Sequence, residues 1–356
     1  MSYAVNSYDE WTALREVIVG TPYHLDYHLD TSFQLFFHEN IQDPSNQGVF
    51  GRIKPSNRLR DECEEDLQAF IGILQDRGIV VRRPEPVTTV PTVQTPYWTA
   101  PAGHALMSRD PFLVIGEEII ETSPQVRARY FEGEMYKELF TEYFERGARW
   151  TVAPRSRLLD RNFDHSYVEH LGYAGEIPQS PFYEIMFDGA QVMRLGTDLI
   201  FNVANENHAM GARWLARHLG PDYRVHTVRV ADNHIDGKIL PLRPGMLLIR
   251  DTVDLSALPK ELRSWDVIRY EWLERPVEVE QDGIPFLASQ SIGINVLSLD
   301  EKHVVVQDMQ IPLMRDLERA GFTPIPCRWR HGRSLGGGFH CITLDINREG
   351  GMESYL

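Results

Sequence analysis

The residues best suited to chemistry lie near the C-terminus of the 356-residue chain. There a glycine run, Gly336-Gly337-Gly338, leads directly into Phe339-His340-Cys341. A thiolate nucleophile needs access and polar activation, and a glycine turn that lets backbone approach closely supplies the access. The competing reading is a small apolar strand residue, because an unpaired cysteine is often buried. A second cluster, Asn233-His234-Ile235-Asp236, follows the strand-like run Arg224–Val230. His234 can take or give a proton near neutral pH. As a structural residue it would be a turn histidine bonded to backbone. Phe187-Asp188-Gly189-Ala190 and Ser108-Arg109-Asp110 each set an acid beside an apolar strand, an ordinary arrangement when taken singly.

Other motifs lose their chemical reading in context. Gly332-Arg333-Ser334-Leu335-Gly336 has the spacing of a serine nucleophile elbow, but that motif requires a strand–turn–helix, and here more glycine and a strand-like run follow. The glycine run would cradle a phosphate only ahead of a helix N-terminus, and none follows it. His165 and His170 have neither the H-E-x-x-H nor the paired-cysteine companions of a zinc site, so no metal and no cofactor are expected. Cys63, in an acidic helix, and Cys327, on a strand, read as structural.

Positioning falls to a repeated pattern of strand, loop, helix ending near Gly, and strand. The strand-like runs are Val17–Gly20, Phe112–Gly116, Leu199–Ala204, Met246–Asp251, Asn295–Leu299 and His340–Ile346. Apolar residues at three- and four-residue spacing predict helices at Arg58–Arg77, Tyr136–Arg146, His208–Leu219, Leu255–Leu262 and Ile311–Ala320. A strand is expected after each, at Ile79–Arg83, Trp150–Ala153, Arg224–Val230, Val267–Trp272 and Thr323–Cys327. Five such units closing on themselves would make an α/β propeller, whose units bury their cores against one another; an open α/β sheet also fits the alternation. Asn162–Pro181, His24–Asn57 and the proline-punctuated Pro84–Ala102 read as inserted loops or lid material.

Composition sets outer limits. With 42% hydrophobic and 24% charged residues, disorder, collagen and coiled coil are excluded. Fifty-one acids against 36 Lys and Arg give a net charge of −15, which repels phosphate backbones and anionic lipid. Neither nucleic acid nor a membrane is an expected partner. An odd, sparse set of three cysteines suits a reducing compartment. Met1–Trp11 has no signal-peptide pattern, and no uncharged apolar run approaches the roughly 18 residues of a span, so a cytoplasmic location is expected.

Taken in order along the chain, these pieces resemble the glycine amidinotransferase family nearly end to end. The resemblance runs through Asp9–Gly20, Ser108-Arg109-Asp110, Val114–Glu121, Arg129-Tyr130-Phe131-Glu132 and Gly147–Pro154. It continues through Phe187–Ala190, Asp222–His226, His234-Ile235-Asp236, Leu335–Asp345 and the tail Gly351–Tyr355. The Gly-Gly-Gly-Phe-His-Cys block is the most specific of these. The resemblance implies an α/β fold: a five-bladed α/β propeller of pentein type with pseudo-fivefold repeats, in one domain spanning 1–356. It also raises the nucleophile reading of Cys341 above the structural one.

By resemblance, Cys341 would attack the central guanidinium carbon of L-arginine. His234, oriented by Asp188, would pass a proton to the leaving amine and later take one from the incoming amine. Asp110 and Asp236 would clamp the guanidinium nitrogens. L-ornithine would leave, and an acceptor amine would attack the amidino-cysteine in ping-pong order. Ser289 aligns with a family serine near the donor. Gln191 stands where an acid is common, and Val253 where the glycine-using enzymes have an arginine for the donor carboxylate, with Arg250 as the substitute. Asn233 stands where those enzymes have methionine, which widens the acceptor pocket. These departures resemble the bacterial branch that builds guanidino groups into antibiotics and toxins. The rivals are an arginine deiminase-like hydrolase and a catalytically silent binding protein on the same fold, and a homodimer is expected by resemblance.

Overall fold

Five three-stranded sheets, wired alike, account for most of the elements. The computed structural model describes residues 4–23, 27–29, 51–86, 92–159, 184–270 and 286–356. In the second sheet Phe112–Ile115 pairs antiparallel with Glu118–Glu121, helix Lys137–Glu145 crosses over, and Arg149–Val152 returns parallel. The third sheet repeats this with Val192–Leu195, Asp198–Asn202, helix Glu206–Leu219 and Arg224–Val228. The fourth uses Ile239–Arg243, Met246–Arg250 and Asp266–Tyr270. The fifth uses Leu297–Ser298, His303–Gln307, helix Ile311–Arg319 and Thr323–Cys327. The first sheet borrows its inner strand from the chain's far end: Thr343–Arg348 lies antiparallel to Leu14–Val19, and after helix Asn57–Gln75 the strand Val80–Arg82 lies parallel.

This wiring follows from backbone geometry. An antiparallel neighbour needs only a two-residue turn, whereas a parallel return needs a long crossover. Gly116 (φ 57°) and Gly196 (φ 67°) open two of the tight turns at the positive φ that such hairpins require. The fifth hairpin turns without glycine, because the Asp300 carboxylate accepts from the backbone N–H groups of Lys302 and His303, each at 2.8 Å. The four long helices among the described residues stop ahead of Gly78, Gly147, Gly220 and Gly321, all at positive φ.

Burial sorts the strands into layers. Hairpin strands such as Phe112–Ile115, Glu118–Glu121 and Asp198–Asn202 are wholly buried, while third strands such as Arg149–Val152 stay half exposed. Apolar clusters then link each sheet to the next. Ile18 and Leu344 pack with Phe112 and Ile119, Leu113 and Ile120 with Val192 and Leu199, and Met193 with Leu240 and Val304. Leu297 and Val305 of the fifth sheet meet Val17 and Val19 of the first, so the ring closes as a five-bladed α/β propeller.

Charge fills the hub. Arg194 donates to Glu10 through Nε (2.8 Å) and Nη2 (2.7 Å), and from Nη2 also to Asp345 (2.7 Å). Asp345 accepts in addition from Arg109 and Arg348, both at 2.9 Å. All five side chains are buried.

Several expectations need correction. Leu255–Leu262 is not one helix but two 3-10 turns, Leu255–Ala257 and Leu262–Ser264. Pro259 causes the break, since Leu258 before it is extended (ψ 160°). The strand expected at His340–Ile346 begins only at Thr343, which leaves Cys341 in the turn before it. Pro84–Ala102 contains a packed hairpin, Thr92–Gln94 with Thr99–Pro101, anchored by Trp98 Nε1 donating to the Arg157 carbonyl at 2.7 Å. Within His24–Asn57 the described strands Tyr27–Leu29 and Gly51–Ile53 pair antiparallel, and Asn57 opens a helix. Asn162–Pro181 lies outside the described residues.

Candidate active site

Each sheet's inner strand is preceded by a loop, and the candidate residues sit in those loops. Asp110 precedes Phe112, Asp188 precedes Val192, His234 and Asp236 precede Ile239, Ser289 and Asn295 precede Leu297, and Cys341 precedes Thr343. One pocket, of ≈ 460 Å³ counted out to its open mouth, brings Cys341, His234, Asp236, Asn233 and Ser289 together. Asp110 and Asp188 stand behind His234. The Nε2 of His234 lies 3.0 Å from Asp188 Oδ2, and its Nδ1 lies 3.8 Å from Asp110 Oδ1.

The electrostatics follow from these contacts. Burial by itself would lower the His234 pKa, but the charge of Asp110 and the bond to Asp188 raise it to about 9. Burial, reinforced by Asp236 and Asp110, pushes the Cys341 thiol well above its usual range. The thiol therefore keeps its proton and donates to Asp236 Oδ2 at 3.1 Å. Burial works against ionised Asp236, yet its bond from His340 Nδ1 (2.9 Å) holds it down at about 2. Asp110 accepts from Arg129 Nη1 at 2.6 Å through Oδ2, while its buried Oδ1 has no hydrogen-bond partner among the described residues. A buried acceptor left open behind His234, beside a pocket lined by Asp232 and Asp236, is suited to a cationic donor.

The glycine run has a steric explanation. A Cβ on Gly337 would stand 2.5 Å from Cys341 Cβ, and one on Gly338 would stand 2.7 Å from the Asn295 carbonyl oxygen. Asn295 in turn accepts from the Cys341 backbone N–H at 3.0 Å and donates to the Asp236 carbonyl at 3.3 Å. Ser334 is buried within the short helix Gly332–Leu335, so the serine-elbow geometry is absent. Cys63 and Cys327 lie in the apolar core, where burial pushes Cys327 up to about 12.

Not every expected residue reaches the pocket. Arg250 is not among its lining residues; it ends a strand and donates its backbone N–H to the Lys238 carbonyl at 2.8 Å. Val253 is buried in the core. Gln191 works behind the site, its Oε1 accepting from the Asp188 backbone N–H at 2.9 Å and from Gln125 at 3.1 Å. Sequence reasoning passed over Asn295, which carries no motif, and over His340, Lys238 and the pair Arg129–Glu132. Arg129 donates to Glu132 at 2.6 and 3.1 Å, and burial raises Glu132 to about 7 against that pull. His340, Arg129 and Glu132 fall in segments with recognisable sequence, but their contacts come from distant parts of the chain or from burial, and Lys238 and Asn295 carry no local signal.

Comparisons with known proteins agree along the full length. No family model matches the chain. It is 37% identical, over 99% of its length and 96% of the relative's, to L-arginine:L-lysine amidinotransferase of Pseudomonas savastanoi pv. phaseolicola. It is 36% identical to inosamine-phosphate amidinotransferase 1 of Streptomyces glaucescens, over 99% of both chains. Among solved structures, an amidinotransferase of the saxitoxin biosynthetic pathway from Microseira wollei superposes with a TM-score of 0.86 at 36% identity, covering 99% of this chain and 100% of its own. A dimethylarginine dimethylaminohydrolase, at TM-score 0.57 and 16% identity over 93% of this chain and 99% of its own, shares the fold.

Proposed function

The chain belongs to the amidinotransferase family, and from that premise we propose that it moves the amidino group of L-arginine, through a covalent intermediate on Cys341, to an acceptor amine. The observation that carries this reading is the pocket in which the Cys341 thiol, His234 and Asp236 meet, with the open Oδ1 of Asp110 behind His234. Arginine's guanidinium is delocalised and a poor electrophile. Asp110 and Asp236 hold it by charge-assisted bonds, and its positive charge reverses the field that kept Cys341 protonated. The thiol proton leaves to solvent and the thiolate attacks the central carbon.

Protonated His234 then gives its proton to the departing nitrogen, and L-ornithine leaves. The amidino-cysteine is attacked by the acceptor amine, His234 takes the surplus proton, and the thiolate departs from the new guanidine. Asp188 orients the imidazole, and Ser289 lines the donor's path. The same reading treats residues 1–356 as one domain that works in the biosynthesis of a guanidino-containing natural product. The saxitoxin-pathway relative supports that setting.

Arginine alone should leave an amidino adduct on Cys341, read by intact mass and peptide mapping. Cys341→Ser should abolish the adduct, and His234→Ala should slow it by roughly 10²–10⁴-fold. With labelled arginine and a panel of amines, ornithine beyond one equivalent per protein should appear only when an accepted amine is present. An adduct on Cys63 or Cys327, or steady citrulline formation as fast as transfer, overturns the reading.

A further inference from the structure

Asp110 comes to the site with one oxygen already committed. Its Oδ2 accepts from Arg129 Nη1 at 2.6 Å, while its open Oδ1 lies 3.8 Å from His234 Nδ1. Arg129 grips the same turn at a second point. Its Nη2 donates to the Met107 carbonyl at 3.3 Å, and that carbonyl also accepts from the Asp110 backbone N–H at 3.2 Å. Burial pushes the Asp110 carboxyl above its usual range, and the charges of His234 and Arg129 oppose that rise. Such a guanidinium brings a difficulty of charge, however. Paired with Asp110 alone it would cancel the acid, and a substrate cation would meet a neutral pair. Glu132 removes the difficulty. Its side chain is fully buried, and its two oxygens accept from Arg129 Nε at 2.6 Å and Nη2 at 3.1 Å. With all three ionised, the group keeps one net negative charge, and the oxygen left open is on Asp110. Burying an ion pair gains little stability over apolar side chains of similar volume, so the consequence of this one falls on Asp110.

We propose that Arg129 and Glu132 are positioning residues for the donor. Arg129 fixes Asp110 through one oxygen and leaves the other to the substrate guanidinium, and Glu132 offsets the charge of Arg129 so that this oxygen keeps its pull on a cation. The inference rests on the amidino-transfer reading above.

The test follows Cys341 adduct formation by intact mass, without acceptor, over a range of arginine concentrations. It is run well above about 7, the pH to which burial raises Glu132. Glu132→Gln keeps the shape and removes the charge. It should raise the arginine concentration for half-maximal rate about 10-fold, the scale of one charge acting across several ångströms of protein. The rate at saturating arginine should change much less. Glu132→Asp restores the charge and should recover part of the loss. The double change Arg129→Gln with Glu132→Gln strands no charge between the two, so it serves even if a single change does not fold. It frees Asp110 to turn, and should slow the saturated rate more than it raises the arginine requirement. Denaturation midpoints identify any variant that has lost its fold. An unchanged arginine requirement in folded Glu132→Gln overturns the proposal, and so does a folded Glu132→Asp no better than Glu132→Gln. Saturated labelling as fast as wild type in the double variant overturns it too. No adduct in the wild type would instead refute the amidino-transfer reading itself.

Discussion

In the proposed reaction, His234 is the residue whose charge state would decide the first half. Asp110 and Asp188 overcome the effect of burial and raise it to about 9, so it enters the reaction as an acid. Adduct formation at low arginine reports the free protein's groups; because the thiol must also lose its proton and titrates higher, the rate should rise with pH up to about 9 and then level off. Asp188→Asn removes the partner at 3.0 Å, so the levelling-off should move to lower pH. Stability reports the same histidine. A pKa raised above the unfolded value stabilises fully below about 6.5, and that contribution is lost as pH rises through about 9. Melting temperature should therefore decline over this window, and less steeply in Asp188→Asn; identical slopes would refute the charge assignment. Acceptor choice belongs to this scale too. Asn233 lines the pocket and accepts its neighbour's N–H, so it offers a short polar wall. Glycine should be a poor acceptor beside longer or hydroxylated amines. Asn233→Met should cut transfer to the preferred amine by tens-fold to roughly 200-fold, while sparing arginine–ornithine exchange.

Glycines set the geometry of the element that carries Cys341, the proposed nucleophile. An alanine at Gly338 would press its Cβ on the Asn295 carbonyl, and Asn295 holds the Cys341 backbone. Gly338→Ala should lower stability by about 1–3 kcal/mol, the usual range for overpacking. It should slow adduct formation on the order of 10²-fold by displacing the thiol. Denaturant titration and single-turnover labelling check the two effects separately. The same element shows how far sequence could be read. The glycine run and Cys341 stood out, but Asn295, 46 residues away, gave no local sign of its role. Helices such as Asn57–Gln75 were legible because Leu67, Phe70, Ile71 and Leu74 repeat at helical spacing. The inner strand Val192–Leu195 was not, because Arg194 interrupts its apolar run and is neutralised only by distant Glu10 and Asp345. Short strands give too few residues for a period, and a buried charge hides what remains.

At the scale of the whole molecule, the five-unit ring and the site are one construction. Each sheet lends the loop before its inner strand, so the site exists only when the ring is closed. Closure depends on the hub, where Glu10, Arg109, Arg194, Asp345 and Arg348 join three sheets and the N-terminal segment. The hub also reaches the chemistry, because His340 lies 3.3 Å from Glu10 and 2.9 Å from Asp236. Arg194 is the strongest test. It is 1% exposed and serves both acids, so Arg194→Met strands Glu10 without its paired guanidinium, while Asp345 keeps Arg109 and Arg348. Breaking a buried pair in this way costs about 3–5 kcal/mol. The denaturation midpoint should drop accordingly, and adduct formation should slow even though Arg194 does not line the pocket. A double change, Glu10→Met with Arg194→Met, removes that stranded acid. It should therefore recover part of the lost stability rather than add to it. Strict additivity of the two changes would mean that the hub charges act independently. A single change that leaves labelling untouched would mean that ring closure and site geometry are separable.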